Sequence, residues 1–432
     1  MQTSALRSAF GIGVALALAV TLLSACGGGS NERDRTKAQV RLLNASAYAA
    51  LDLRLDGTVR QSLVGYGDSA VYVEVDTASV PAHVTPNGSA TALQAITMGL
   101  ERDKRTTLLA YGPEGALKLL QLDDNLAAPA AGRSTLRVVN AAPDAGSLDV
   151  YVTASGDALA TAVPLRAGVV VGAVATTTDA TPATWRLRVT AAGSKTDVRL
   201  DLPALSLADR GVATLVLSAA RGGALVNALV LPQGGGITRA DNIHARVRVA
   251  AGLAGGAVAS ARVGDVTLAS SLGAPAVSTY QLVPAGTRTV LLSVDGTPLA
   301  PTELLLPPGT DHTLLFSGTA GVPRADWIAD DNTLPVTTGS AKLRLVHGLA
   351  GLAGTMSLTS DFLPVASGVA RGRASVPTAV TATTTAKLNV TGAGQPTALF
   401  SAIDQRLDAG AVYTVFVVGD LAAPVGILRK DR

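Results

Sequence analysis

This chain of 432 residues opens the same way four times. Arg41-Leu42-Leu43-Asn44-Ala45, Arg137-Val138-Val139-Asn140-Ala141, Arg248-Val249-Ala250-Ala251-Gly252 and Arg344-Leu345-Val346-His347-Gly348 lie 96, 111 and 96 residues apart. A second landmark follows each opening: a threonine heading an apolar run, at Thr107, Thr214, Thr313 and Thr414, placed 66, 77, 65 and 70 residues after the arginine. Two landmarks that keep similar offsets mark a repeated unit. A unit of about 100 residues is long enough to bury a core of its own, unlike a solenoid repeat, and is the size of an immunoglobulin-like sandwich.

The local pattern agrees. Val71-Tyr72-Val73-Glu74-Val75-Asp76, Trp185-Arg186-Leu187-Arg188-Val189-Thr190, Val198-Arg199-Leu200-Asp201-Leu202 and Ala245-Arg246-Val247-Arg248-Val249 alternate apolar with polar residues. Period two puts one face of a strand on a core and the other in water, so the Tyr72 hydroxyl and these arginines are expected on the wet face. Clusters of Gly, Pro, Asp and Asn separate the runs at spacings typical of antiparallel sandwiches. The nearest approach to a helical period, residues 90–100, is short and holds Thr and Gly. The expected fold is all-β: tandem immunoglobulin-like antiparallel β-sandwiches covering 38–131, 132–238, 239–337 and 338–432.

The N-terminus reads as an address. Arg7 precedes an uncharged stretch from Ala9 to Leu23, shorter than the roughly 20 residues a spanning helix needs and arranged as a secretory signal. Leu23-Ser24-Ala25-Cys26 resembles a bacterial lipobox. That resemblance implies cleavage after residue 25 and lipidation of Cys26, the one cysteine of the chain. Residues 26–37 then form a lipidated, glycine-rich flexible linker, and two acyl signals give stable attachment. Gly27 beside the cysteine resembles signals that send such proteins to the outer membrane of a Gram-negative cell. Removing residues 1–25 takes away one charge, Arg7, and leaves 34 basic and 32 acidic residues. A balance this close carries no basic stripe of the kind nucleic-acid binding requires.

The second repeat carries a further resemblance. Arg137-Val138-Val139-Asn140-Ala141-Ala142-Pro143-Asp144-Ala145, then Leu148-Asp149-Val150-Tyr151-Val152, is similar to the opening of the domain-of-unknown-function family numbered 4397. Val283-Pro284-Ala285-Gly286-Thr287 and Ala409-Gly410 before Tyr413 are shorter family-like phrases, while repeats 1 and 3 lack the Pro-Asp. The resemblance implies bacterial surface or periplasmic domains, often in tandem, and brings no catalytic residues. Arg137, Asn140, Pro143, Asp144, Asp149 and Tyr151 are therefore read as turn and strand residues, because Asn and Asp bond nearby backbone and Pro presets φ. Asp149 and Asp52 are expected to face solvent or cap an edge.

Catalytic and metal-binding patterns are scarce. His83, His244, His312 and His347 have no paired spacing of the kind a metal site uses, and His347 fills the slot of Asn44 and Asn140, which points to a hydrogen-bonding turn role. No nucleophile elbow, phosphate loop or zinc-protease helix is present. Asp123-Asp124-Asn125 and Asp330-Asp331-Asn332 close repeats 1 and 3 as solvated turns or, alternatively, as oxygen ligands for Ca²⁺ between domains. Trp185 is expected in a core and Trp327 at a domain joint. The expectation is a non-enzymatic, membrane-anchored envelope lipoprotein without cofactors, acting through structure or surface contact with envelope glycans or proteins. The alternative is a carbohydrate- or peptidoglycan-binding module, and an envelope hydrolase is the remote third choice.

Overall fold

The structure, a computed structural model, describes residues 34–432. The apolar run, Leu23, Ser24, Ala25, Cys26 and the first part of the glycine-rich linker lie outside the described residues. Within them the chain is β-structure, and the helices are two short 3-10 turns, Pro143–Ala145 and Ala254–Gly256. Residues 90–100 include the strand Gln94–Gly99. Among the described residues no helix is long and apolar enough to cross a membrane.

Each repeat folds as two facing sheets. In the first, one sheet runs Val73–Val75, Ala38–Ser46, Arg105–Gly112, Lys118–Asp123, and the other Thr58–Gly65, Ala50–Leu55, Ser79–Pro86, Gln94–Gly99. Repeat 4 has the same order, and repeats 2 and 3 add short edge strands. The pairings are antiparallel except one per repeat, where the opening strand lies parallel to the strand that carries the landmark threonine. The two sequence landmarks meet there: Arg41 lies opposite Thr107, Arg137 opposite Thr214, Arg248 opposite Thr313 and Arg344 opposite Thr414.

Each repeat has its own apolar core, built around Val40 and Leu42, Leu136 and Val138, Val247 and Val249, and Leu343 and Leu345. Two further clusters lie between repeats. Leu43, Leu109 and Leu122 pack on Val139, Val216 and Leu229 across repeats 1 and 2, and Leu315 and Ile328 pack on Val346 and Phe416 across repeats 3 and 4. The opening strands Ala38–Ser46 and Ser134–Ala141 are therefore buried along their whole length. Strands covered on both faces read as continuous apolar runs, as Leu42-Leu43 and Val138-Val139 do.

The true period is a pair of sandwiches. Arg41 to Arg248 and Arg137 to Arg344 both span 207 residues, and each half of the chain holds one face-to-face pair. The pairs touch in turn. Gly222 N donates to Gly309 O at 2.7 Å, Asn332 N to Gly222 O at 3.3 Å, and Leu334 N to Asp144 Oδ1 at 2.7 Å. The backbones come so close that a Cβ on Gly223 would lie 2.6 Å from the Asn332 carbonyl carbon.

Much of the expected wet faces is covered. Arg246 and Arg248, on the polar side of their alternating run, are 5% and 1% exposed, and Arg188 and Arg199 are buried as well. Tyr72 is covered by Arg41, whose guanidinium carbon sits 4.4 Å from the ring centroid, while Val71 is 83% exposed. Trp185 and Trp327 both pack against the cores of their repeats.

Candidate functional site

The family-like residues of repeat 2 divide between two tasks. Asn140 Nδ2 donates to Gly146 O and Val169 O, both at 2.8 Å, and its Oδ1 accepts from Ala142 N at 3.1 Å. Pro143 starts the 3-10 turn that follows. Asp149 accepts from Gly168 N at 2.7 Å and Gly193 N at 2.9 Å. Asn140 and Asp149 thus hold the same short strand, Arg166–Val169. Asp149 is 5% and Asp52 3% exposed, so of the two expected roles facing solvent is corrected, and capping an edge fits: each accepts from a backbone N–H of an edge strand. Asp52 accepts from Leu63 N, Asn87 Nδ2 and Gly88 N, all at 2.9 Å; a buried carboxylate needs such donors. Tyr151 is buried at 2% exposed. His347 does take the asparagine role: Leu349 N donates to Nδ1 at 3.3 Å and Nε2 lies 3.4 Å from Gly354 O. That places the proton on Nε2, and burial lowers the imidazole pKa.

Arg137 belongs to the second task, joining repeats. In each repeat the arginine Nε donates to its own threonine hydroxyl at 2.8–2.9 Å. The rest of the guanidinium crosses to the neighbouring repeat. Arg344 reaches Asp330 at 2.6 Å and Arg248 pairs with Asp431, a reciprocal exchange in which all four side chains are at most 1% exposed. Asp330 also accepts from Thr313 Oγ1 at 2.6 Å and Tyr280 Oη at 2.7 Å. Burial pushes the Asp330 carboxyl up, but Arg344, Arg248 and these hydroxyls outweigh it and hold it below the usual carboxylate range.

Repeats 1 and 2 carry half of this exchange. Arg137 reaches Asp124 at 2.9 Å, which also accepts from Tyr72 Oη at 2.7 Å and from Thr107. Burial, with Asp124 beside it, pushes the Tyr72 hydroxyl up to about 12. Where repeat 4 offers Asp431, repeat 2 has Gln233, and Arg41 donates instead to Gly235 O at 2.8 Å. Removing one partner from a buried pair of this kind costs about 3–5 kcal/mol, because the other charge stays buried alone.

Each acidic closing therefore divides in two: Asp123 and Asp331 are exposed turn residues, as expected, their Oδ1 atoms accepting from Asn125 N and Thr333 N, while Asp124 and Asp330 are buried. Asp124 and Asp330 face arginines, and among the described residues no three His, Cys, Asp or Glu side chains assemble as metal ligands. The two tripeptides are also one residue out of step: the bridging carboxylate is the second aspartate in repeat 1 and the first in repeat 3. The threonines, Tyr280 and Asp431 are participants that sequence reasoning missed. Their signal was present in the fixed Arg–Thr offset, which served as a repeat marker and not as a contact.

A concave site lies where repeats 1, 2 and 3 converge. It is a cavity of about 570 Å³ with Tyr66, Asp144, Arg221, Asn227, Arg239 and Asn242 on its wall. Tyr66 Oη accepts from Asn227 Nδ2 at 2.8 Å and lies 3.0 Å from Ser218 Oγ. Arg239 stacks 4.8 Å over the Tyr66 ring and pairs with Asp241 at 2.6 Å. Asp144 is 6% exposed, bonds Leu334 N through one oxygen, and has its pKa raised by burial. Arg221 is exposed on the rim.

A family model described as "Domain of unknown function (DUF4397)" matches residues 38–151 and 245–359. The chain belongs to this family. Each match takes in one whole sandwich and runs past the opening of the next, so the family pattern covers repeats 1 and 3 and reaches into 2 and 4. Its borders fall 207 residues apart at their starts, the period of the sandwich pairs. No curated protein matches the chain. Among solved structures it is similar to "The Bacillus anthracis TIE protein", at 10% identity and a TM-score of 0.15, over 88% of this chain and 68% of that one.

Proposed function

We propose that this is a non-enzymatic envelope lipoprotein, tethered through Cys26 to the outer membrane of a Gram-negative cell. In this reading its two sandwich pairs form a stiff platform with a structural or surface-contact role, needing no cofactor or nucleic acid. The observation that carries it is the use made of the charged residues at the repeat landmarks: Arg41, Arg137, Arg248 and Arg344 all bind repeats to one another. The anchor rests on Leu23-Ser24-Ala25-Cys26. Replacing Cys26 with Ser is expected to leave an unprocessed precursor or release the protein from membranes, read by fractionation and fatty-acid labelling. A Cys26→Ser protein that is correctly cleaved and still membrane-bound contradicts the tether.

A second reading is favoured by the cavity at the three-repeat junction. The exposed Arg221 guanidinium on the rim and the Asp144 oxygen not taken by Leu334 suit the carboxyl and hydroxyl groups of an envelope saccharide. Titration of residues 34–432 with cell-wall saccharide fragments is expected to saturate, and Arg221→Ala to weaken binding by about tenfold, the scale of one charge-assisted hydrogen bond. Equal affinity of the two proteins, or no saturable binding, contradicts it.

A further inference from the structure

The hairpin between strands Met356–Ser360 and Leu363–Val369 turns through two residues, Asp361 and Phe362, with φ of +49° and +67°. Repeat 1 makes the same turn with Asp56 and Gly57, at +48° and +74°. Glycine meets that geometry without strain, whereas a side chain there costs roughly 1–2 kcal/mol. Phe362 therefore opposes its own turn, and no apolar core of the fold takes up the ring. Phe362 is 79% and Leu363 70% exposed, while Phe316 and Phe416 are fully buried. The tip is nevertheless held firmly: Asp361 N donates to Lys387 O at 2.9 Å, and Lys387 N to Asp361 Oδ1 at 2.8 Å. The Lys387 ammonium lies 4.8 Å from the centre of the Phe362 ring.

We propose that this tip is a membrane finger, which places Phe362 and Leu363 among the acyl chains of a phospholipid bilayer with Lys387 at the anionic headgroups. Three features select a bilayer over a protein. The tip is convex and two residues wide, far short of the roughly 800 Å² per partner that a stable protein interface buries. A bilayer needs no complementary shape, only apolar area and a cation beside it. An ammonium on a flexible stem next to the ring can stay at the headgroups while the ring inserts. One finger binds weakly alone; on a tethered chain it sets orientation. The inference goes beyond the tether and does not need it.

The test uses residues 34–432, which lack Cys26 and contain all four cores. Phe362→Trp is titrated with vesicles of anionic and zwitterionic phospholipid carrying brominated acyl chains. Its extra emission should shift to the blue and be quenched, less so at high salt. Phe362→Gly should unfold at a higher temperature than the parent and lose co-sedimentation with the same vesicles. Unquenched emission from Phe362→Trp, equal co-sedimentation of the parent and Phe362→Gly, or a lowered unfolding temperature for Phe362→Gly each overturns the proposal.

Discussion

A guanidinium leaves water only where acceptors replace its hydration, and the opening arginines show what this requires. Each takes a threonine hydroxyl from its own repeat and a carboxylate or carbonyl from its neighbour. His347 meets the same demand by other means, standing in for an asparagine with an unprotonated Nδ1. Burial holds its pKa below 6.5, as it does for His244 and His312. Between the folded and unfolded values the unfolded chain binds more protons, so stability present above 6.5 is lost as pH falls through that window. Asp330, also lowered, adds a loss only below 3.8, and Asp144, raised, opposes it. His347→Asn restores the residue of repeats 1 and 2. It should make the fall in unfolding temperature below pH 6.5 shallower than in the parent; an unchanged slope contradicts a lowered pKa for His347.

At the scale of the element, alternation and turn chemistry were legible, and so was the repeated two-sheet unit. Alternation reports that one face of a strand differs from the other, without saying what the polar face meets. Ala245-Arg246-Val247-Arg248-Val249 reads as half wet, but its arginines lie under Tyr280, each 4.6 Å from the ring centre. The doubly buried strands were written more openly, in the runs Leu215-Val216-Leu217 and Leu314-Leu315-Phe316, where one residue serves the repeat's own core and the next the joint. Close approach also needs glycine at particular points. Gly172 and Gly372 occupy matching turns at φ of +79° and +75°, and a Cβ there would run into the Tyr111 hydroxyl and the Asp326 carboxylate. Nothing local to either glycine names its partner across the joint, so these contacts were not legible in sequence.

For the whole molecule, four sandwiches with cores of their own are arranged as two face-to-face pairs that touch at Gly222, Gly309 and Asn332. The cavity at the three-repeat junction exists because of that docking, which is why no motif announced it: its wall draws on residues from Ala45 to Thr333. The central claim is that repeats pair rigidly through buried arginines and aspartates. The most direct test is the distance distribution between spin labels on residues 34–432, which lack cysteine. The labels are placed by Arg60→Cys in repeat 1 and Ala204→Cys in repeat 2, both at exposed sites. The account predicts one narrow distance that broadens when Asp124→Ala removes the partner of Arg137; a broad distribution in the parent protein would contradict it.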